Sequence, residues 1–355
     1  MSRTDVAQPR SNAVEPGRAM ARFNRATSSI AGVLITLFGL VLLTFLIGRT
    51  MPIDPVVAIV GDKAPAEVVE KLRLELGLDQ PLIVQFCIYL KSLLQGDLGR
   101  SVMTGQPVTV DIVQFFPSTL ELATSSMLIA LALGVPLGIL AAARQDSIFD
   151  NAVRLISLLG QSLPVFVLAL LCLLVFYVKL GIAPGTGQQD AIFQGMVPFR
   201  TGMIVVDSAL DGQWDAFWDA LAHLAMPALL LAFITMSVVV RMTRAFMLDA
   251  LSGEYIIAAR AKGLSEARIL WRHGLGNIAG RMITVVAMIY AGLLEGAVLT
   301  ETVFSRPGLG LYLTRSLLNA DMNAVLGATL VAGTIYVCLN LLADLGQRFF
   351  DPRVA

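Results

Sequence analysis

Charge and cysteine are both scarce in this sequence. Charged residues make up 15% of its 355 residues, and the 26 basic and 26 acidic side chains leave a formal net charge of +0. A chain without excess positive charge has no electrostatic basis for binding nucleic acid, so no nucleic-acid partner is expected. The three cysteines, Cys87, Cys172 and Cys338, lie far apart, which argues against a disulfide framework and against a cysteine metal cluster.

Motifs that carry catalysis are also missing. None of the five lysines completes the G-x-x-x-x-G-K-[ST] pattern of a phosphate-binding loop, so the chain is not expected to bind ATP in such a loop. The two histidines, His223 and His273, have no partner at a spacing typical of metal ligands, and no serine or cysteine has a general base nearby in the sequence. The sequence therefore predicts a protein that is not an enzyme and that needs no cofactor or metal.

Apolar residues, by contrast, are abundant. They make up 56% of the chain, and the mean hydropathy is +0.75, far from the composition of a soluble domain. Six apolar runs approach the length that crosses a hydrocarbon core of about 30 Å at about 1.5 Å per helical residue. The sequence thus predicts an all-α membrane protein with six transmembrane helices. The runs, uncharged apart from Glu295, cover residues 30–48, 122–143, 155–178, 224–240, 282–300 and 324–343.

Basic residues indicate which side of the membrane each segment faces. Sixteen of the 26 lysines and arginines fall in the two terminal tails and in the segments 144–154 and 241–281. Because basic residues accumulate on the cytoplasmic side, both termini are expected in the cytoplasm. The first run lacks a following small-residue cleavage pattern and is interpreted as a retained span. The expected organisation is a flexible basic tail (1–29), a peripheral first span (30–48), an outer loop with short helices (49–121), a five-span translocation core (122–343) and a second tail (344–355).

A polar, basic insert at residues 253–283 separates two of the apolar runs. Its first part predicts a short helix that ends at Gly263, a residue suited to the left-handed turn that closes many helices. A second helix is expected to begin near Ser265. One interpretation is a solvated loop that is basic only because positive residues accumulate on the cytoplasmic side. The order of small and apolar residues favours instead a docking element for a soluble partner. Its expected contact residues are Glu254, Tyr255, Ala258, Ala259, Gly263 and Leu264.

The insert and three other stretches resemble a known family. An A-A-x-x-x-G pattern is matched by Ala258, Ala259 and Gly263, within AARAKGLSEARILWRHGLGN. The sequence is similar in this pattern to the inner-membrane permeases of binding-protein-dependent ABC transporters, specifically the first permease of the dipeptide and oligopeptide type. The resemblance extends over nearly all the chain after the tail. The supporting stretches are RTMPIDPV at 49–56, GDLGRSV at 96–102 and ETVFSRPGLG at 301–310.

The sequence departs from the family pattern at a few positions. Ile257 stands where the general motif has a glutamate directly before the two alanines, and the acid lies one helical turn earlier, at Glu254. Leu275 alone represents the later I-x-L-P of the motif. Ile53 occupies the place of the glycine that usually precedes Asp-Pro in the first stretch.

The resemblance implies a fold, a mechanism and a set of partners. It implies the type I ABC importer permease fold and pairing with a second, similar permease in the prokaryotic inner membrane. Two cytoplasmic ATP-binding subunits would hold the coupling segment at 241–281, and an extracytoplasmic substrate-binding protein would deliver short peptides. ATP-driven closure of the ATPases would then move the spans between inward-open and outward-open states.

Other functions remain open at this stage. The same machinery imports nickel, glutathione or other small solutes in close relatives, and fold does not decide the cargo. A different class, an ATP-independent secondary transporter or channel, would need paired broken spans related by an internal repeat, for which the sequence gives no clear sign. A membrane enzyme is disfavoured because paired catalytic groups are missing.

Three polar residues within the apolar runs are candidates for the translocation path. Glu295 is an ionisable side chain inside a span, where such groups usually face a partner helix or a water-filled path. The alternative is that Glu295 lies near the outer end of its span and reaches the interface or forms a structural pair. Gln161 and Asn340 are weaker candidates, because amides in spans more often serve helix association.

Overall fold

The computed structural model describes residues 16–50, 56, 64–75 and 79–350, and within these ranges the chain is helical and contains no β-strand. Both chain ends and most of the RTMPIDPV stretch therefore lie outside the described residues. The helices are α1 (Pro16–Thr50), α2 (Ala66–Glu75), α3 (Leu82–Leu94), α4 (Val108–Ala143), α5 (Ile148–Ser162), α6 (Val165–Cys172, continued by the π-helix Leu173–Lys179), α7 (Ile204–Leu210), α8 (Trp214–Leu251), α9 (Glu254–Ala261), α10 (Glu266–Arg268, continued by the π-helix Ile269–Gly274), α11 (Leu275–Val303), α12 (Leu309–Leu318) and α13 (Met322–Phe350).

Five segments are long and apolar enough to cross a membrane, and they confirm five of the predicted spans. They are Ala31–Arg49 in α1, Val108–Ala143, Trp214–Leu251, Glu266–Leu294 and Met322–Leu342.

The third predicted span, at 155–178, is not one straight helix. It is a pair, Ile148–Ser162 and Val165–Lys179, bent by 99° at a short break. Leu163 is extended there, with φ −99° and ψ 133°, because Pro164 disfavours helical geometry in the residue before it and cannot donate a backbone hydrogen bond. The number of spans is thus six only if this bent pair counts as one.

Two helices begin earlier than the apolar runs suggest. Helix α4 starts at Val108, inside the stretch expected to be outer loop, and α8 starts at Trp214. Trp214 and Trp218 occupy the first turns of α8, and both side chains are exposed.

The core forms where α4 packs along α8, with α11 against both of them. Glycines allow the close approach of α4 and α8: a Cβ added at Gly138 would lie 2.7 Å from Cβ of Thr243 and 2.8 Å from the carbonyl oxygen of Val240. Small residues at such crossings let helix backbones approach in a membrane, where van der Waals packing drives association. Helix α13 packs on α11, and α1 packs on α13 and α3.

The core has two ends with different attachments. At one end, α9 and α10 follow α8, and the buried residues Ile139, Met247 and Ile278 join α4, α8 and α11. We call this the α9 end. At the other end, Val108 and Ile112 of α4 pack against Leu309 and Tyr312 of α12, and α7 packs on the start of α8. We call this the α12 end.

Candidate functional site

Helix α9 is attached to the protein through one face. Ile256 and Ala259 are buried against Ile269 of the following π-helix. Leu251 and Leu264, on either side of α9, are half-buried and pack against the same cluster. This small apolar cluster explains why an eight-residue helix, too short to be stable alone, holds a fixed position.

The opposite face of α9 is exposed and largely apolar. Tyr255 is 42% exposed and Ile257 is 63% exposed, and Ala258 and Ala261 are exposed beside them. With Glu254, these four residues form what we call the α9 surface. Isolated exposed side chains are ordinary, whereas these apolar side chains are neighbours on one face of a short helix.

The two alanines of the A-A-x-x-x-G pattern do not share a surface. Ala258 points outward, whereas Ala259 is 7% exposed and packs in the cluster with Ile256. The reason is the helical rotation of about 100° between successive residues. Of the six contact residues expected from the sequence, Ala259 therefore has a packing contact within the chain, and Leu264 is half-buried beside it.

Gly263 closes the helix as expected. Its φ is +75°, a conformation that glycine adopts without steric cost. Its amide donates to the carbonyl of Arg260, and the amide of Leu264 donates to that of Ala259 at 3.2 Å. Nothing lies within 4 Å of the position a Cβ would take at Gly263, so this turn is open to the surroundings.

Polar contacts fasten α9 and its neighbours to the core helices. The amide Nδ2 of Asn277, on α11, donates to the hydroxyl of Tyr255 at 2.7 Å. Nη1 of Arg281, also on α11, donates to Oδ2 of Asp249 on α8 at 2.8 Å. Helix α9 is thus bonded directly to α11.

Helix α5 is held to α8 near the same end. Arg244 donates from Nε and Nη2 to the two carboxylate oxygens of Asp150, both at 2.6 Å. Asp150 is fully buried, and its backbone amide is capped by the hydroxyl of Ser147. One helical turn before Arg244, Arg241 donates to the side-chain oxygen of Gln161 at 2.8 Å. Gln161, a path candidate, thus pairs with a basic side chain on an exposed edge.

A second ion cluster is buried at the α12 end. Nη2 of Arg306 donates to Oε2 of Glu121, and both side chains are almost fully buried. Glu301 accepts from the backbone amides of Gly310 at 2.8 Å and Leu311 at 3.1 Å. The cluster therefore fixes the corner between α11 and α12 to α4. Sequence reasoning identified the ETVFSRPGLG stretch but missed Glu121, whose charged side chain immediately before an apolar run was the available signal.

The glycines of this stretch have a steric role. A Cβ at Gly308 would lie 2.3 Å from the carboxylate of Glu301, and one at Gly310 would lie 2.4 Å from Cα of Val298. Only glycine lets the backbone pass so close to these atoms.

The two remaining path candidates lie on different helices. Glu295 is in α11, but its side chain lies outside the described residues, so its role stays a prediction. Asn340 is half-buried in α13.

The expectation that His223 has no potential ligand partners is wrong. Asp219, one helical turn earlier in α8, and Asp190, from the loop before α7, approach its imidazole ring. The i, i+4 spacing of Asp219 and His223 was visible in the sequence, whereas the approach of Asp190 depends on the fold.

These features define a class of protein: a multi-pass membrane permease subunit with a short helix, α9, whose exposed face is largely apolar. The family comparison then identifies it. Residues 134–355 match the binding-protein-dependent transport system inner membrane component, and residues 20–123 match the N-terminal model of the same membrane component. The chain belongs to this family, and it is a multi-pass protein of the bacterial inner membrane.

The relatives have similar lengths. The probable D,D-dipeptide transport system permease protein DdpB of Escherichia coli (strain K12) is 42% identical over 323 residues, which cover 91% of this chain and 95% of that protein. The di/tripeptide transport system permease protein DppB of Pseudomonas aeruginosa (strain UCBPP-PA14) is 38% identical over 326 residues, covering 91% and 96%. The dipeptide transport system permease protein DppB of Escherichia coli (strain K12) is 38% identical over 324 residues, covering 91% and 96%.

A solved structure of the MetNI methionine ABC transporter in an inward-facing conformation is also similar. The TM-score is 0.46 and the identity 18%, over 66% of this chain and 91% of that chain. The family matches confirm the membrane permease class predicted from the sequence resemblance, and this family is a family of transport permeases.

Proposed function

We propose that this chain is the membrane permease subunit of an ATP-driven ABC importer for di- or oligopeptides. The observation that carries the proposal is the exposed apolar α9 surface on a helix fastened to the core by Ile256 and Ala259. The peptide cargo is supported by relatives whose names specify dipeptides or di/tripeptides.

The proposed partners follow from the missing phosphate-binding loop motif and from the exposed α9 surface. It has no phosphate-binding loop motif, so two separate ATP-binding subunits supply the energy, one of them docking on the α9 surface. A second, homologous permease completes the pathway, and an extracytoplasmic substrate-binding protein delivers the peptide. The α9 end and both termini face the cytoplasm in this arrangement, in agreement with the distribution of basic residues.

The contacts around α9 supply a mechanism for coupling. ATP changes the permease only by binding one conformational state of the complex better than the other. When the ATPases close, they displace α9, and the Tyr255–Asn277 hydrogen bond passes the displacement to α11. The Asp249–Arg281 pair joins α11 to α8, and the Asp150–Arg244 pair joins α8 to α5. The three helices then move together.

Copurification tests the docking role. The full chain is expressed with its neighbouring transporter genes and extracted in mild detergent. We expect the ATP-binding subunits and the second permease to copurify with the wild type, and Ile257→Asp to lose the ATP-binding subunits. Leu318→Asp is the matched control, because Leu318 is 80% exposed on α12, at the other end of the core, and it should keep them. Recovery of the ATPases with Ile257→Asp at the wild-type level would contradict docking on α9.

Uptake measurements in reconstituted vesicles test the cargo and the class of transporter. Peptide uptake should require the ATPases, ATP and the binding protein. Uptake of nickel or glutathione without uptake of peptide would show that the cargo is one of these solutes and not a peptide. Uptake by the chain without ATPases would identify a secondary transporter or channel and would contradict the proposal.

Glu295, Gln161 and Asn340 are proposed to line or border the path. Glu295→Gln keeps the size of the side chain and removes its charge, so a path role predicts altered transport or substrate preference. Unchanged transport by Glu295→Gln would contradict a path role and favour a structural one.

A further inference from the structure

An imidazole lies between two carboxylates at the α12 end. The side chain of His223 is 2% exposed, Asp219 is 13% exposed and Asp190 is 66% exposed. Nε2 of His223 lies 3.6 Å from Oδ1 of Asp190, and Nδ1 lies 3.5 Å from Oδ1 of Asp219. One potential ligand atom from each residue lies within 4.8 Å of the other two.

Nδ1 of His223 has a partner that fixes the ring. It lies 2.9 Å from the carbonyl oxygen of Asp219. A carbonyl only accepts, so this contact places a proton on Nδ1, and in the neutral ring Nε2 is then an acceptor. Histidines that bind metals commonly donate their other ring N–H in this way, to a carbonyl or a carboxylate.

The side chain of His223 is 2% exposed, and its Nε2 has no hydrogen bond among the described residues. Its neighbour is the carboxylate of Asp190 at 3.6 Å, which is too long for a hydrogen bond and is also an acceptor. A metal ion placed between these two acceptors would satisfy both of them.

The backbone holds the two acids together. The amide of Asp190 donates to Oδ2 of Asp219 at 2.8 Å, so the carboxylates converge from the loop and from α8. The same loop is attached to the corner between α11 and α12, where the amide of Gly187 donates to the carbonyl of Phe304 at 2.8 Å. The three side chains thus come from two separately anchored segments.

We propose that Asp190, Asp219 and His223 form a site for a divalent first-row transition-metal ion, with Zn²⁺ as the probe. One imidazole nitrogen and two carboxylate oxygens suit such ions. Ca²⁺ and Mg²⁺ prefer all-oxygen ligands and bind weakly here. Bonds of about 2.0–2.2 Å need a tighter cluster, so the carboxylates of Asp190 and Asp219 both turn toward Nε2 when the ion binds. Three protein ligands leave a position for water.

The proposed role is structural. The metal fixes the loop that carries Asp190 to the first turns of α8, beside the corner that Phe304 forms between α11 and α12. A metal bound to the folded state alone raises the melting temperature with metal concentration. This role does not depend on which solute the permease carries.

Zinc binding to the purified full chain tests the site. The protein carries no oligohistidine tag, and Zn²⁺ affinity is measured by competition with a chromophoric chelator. We expect one tight equivalent in the wild type and a loss of affinity of at least about tenfold in Asp190→Asn, since weakening even the partners of ligands costs about 10–100-fold. Asp190 is mostly exposed, so this variant should fold. Mg²⁺ at the same concentration should not compete.

Matched controls separate this site from general metal binding. Asp215→Asn removes an exposed acid from the same helix, one turn before Asp219, and His273→Gln removes the other histidine. Both should bind zinc as the wild type does, whereas His223→Gln should not. Zn²⁺ should also slow proteolysis of the loop at residues 180–203 in the wild type but not in Asp190→Asn.

Three results would overturn the proposal. They are the absence of a tight zinc equivalent in the wild type, equal zinc affinity in the wild type and Asp190→Asn, and equal loss of affinity in Asp215→Asn. The first would show that no metal ion binds between His223 and Asp190, and the last two would identify adventitious surface binding.

Discussion

Arg244 of α8 and Asp150 of α5 form a two-pronged ion pair, with both hydrogen bonds at 2.6 Å and the carboxylate fully buried. Between the two residues lie most of α5, then α6, the segment that contains α7, and most of α8. Their contact holds α5 against α8 near the α9 end, so α9 and the bent pair are both attached to this part of α8.

Asp150→Ala should destabilise the protein by about 3 kcal/mol or more, because it leaves the Arg244 guanidinium largely buried without its partner. The double variant Asp150→Ala/Arg244→Ala should be less destabilised than the sum of the single variants. Thermal unfolding in detergent, followed by tryptophan fluorescence, measures both effects.

The control for this prediction is an exposed pair of the same type. Arg260 and Glu266 form an ion pair at 2.8 Å, but the two side chains are 49% and 61% exposed. Arg260→Ala should therefore change stability by less than about 1 kcal/mol. Equal effects of Asp150→Ala and Arg260→Ala would show that burial of the first pair has no energetic consequence.

Gly310→Ala should severely reduce the yield of folded protein, since its Cβ would lie 2.4 Å from Cα of Val298, which is backbone and cannot rotate away. Gly292→Ala, in the preceding helix α11, is the control, because nothing lies within 4 Å of its Cβ position. Alanine also favours helix over glycine by up to about 1 kcal/mol, so this control should be neutral or stabilised. Size-exclusion chromatography measures the yield of folded protein for both variants, and thermal unfolding measures their melting temperatures.

Asp207 should make stability depend on acid pH. Burial alone would raise its pKa, but hydrogen bonds from the Thr201 hydroxyl and from the amides of Thr201, Arg200 and Gly202 outweigh burial and hold the pKa below its ordinary value. A carboxyl with a lowered folded-state pKa stabilises the fold above its unfolded pKa of about 3.9 and loses that contribution as pH falls through the folded pKa.

The difference in melting temperature between the wild type and Asp207→Asn should accordingly be constant near neutral pH and should shrink below about pH 4. Asp215→Asn, which removes an exposed acid near the start of α8, is the control variant. A wild-type advantage over Asp207→Asn that grows as the pH falls would contradict the assigned hydrogen bonds.

Gly263→Val should reduce transport while the protein still inserts in the membrane. Its φ of +75° disfavours any β-branched residue, yet no neighbour lies within 4 Å, so the strain stays local to the turn after α9. Uptake in vesicles and membrane fractionation measure the two properties.

Gly105→Val has the same kind of strain, with φ +70° and no neighbour within 4 Å, but it lies far from α9 in the sequence, before α4. It should lower stability by a comparable amount without removing ATPase binding. If Gly263→Val transported at the wild-type rate, the turn after α9 would have no part in docking.

The sequence predicts most of the helices because length and hydropathy are local properties. The end of α9 at Gly263 was equally predictable, since a left-handed closing turn depends on a single residue type. Proline alone was a poor guide to the bend: Pro136 lies inside the continuous helix α4 and Pro227 inside α8. At Pro164 the preceding Leu163 becomes extended, and the fold decides which of these outcomes occurs.

The candidate sites depended more strongly on the fold. Glu121 and Arg306 are 185 positions apart, and Asp190 reaches His223 only because a loop folds back onto α8. No periodic pattern encodes such contacts. The family pattern likewise did not distinguish Ala258 from Ala259, although the helical rotation between them places one outside and one inside.

The 99° bend at Leu163 has a further consequence for solvation. The last carbonyls of α5 and the first amides of α6 have no helical partners at such a break. Hydrocarbon cannot solvate these groups, so non-helical backbone at membrane depth must be covered by protein or face a water-filled cavity. Residues 161–164 are exposed in the single chain. In the bilayer, this stretch therefore borders water or another subunit, and lipid tails are excluded from it.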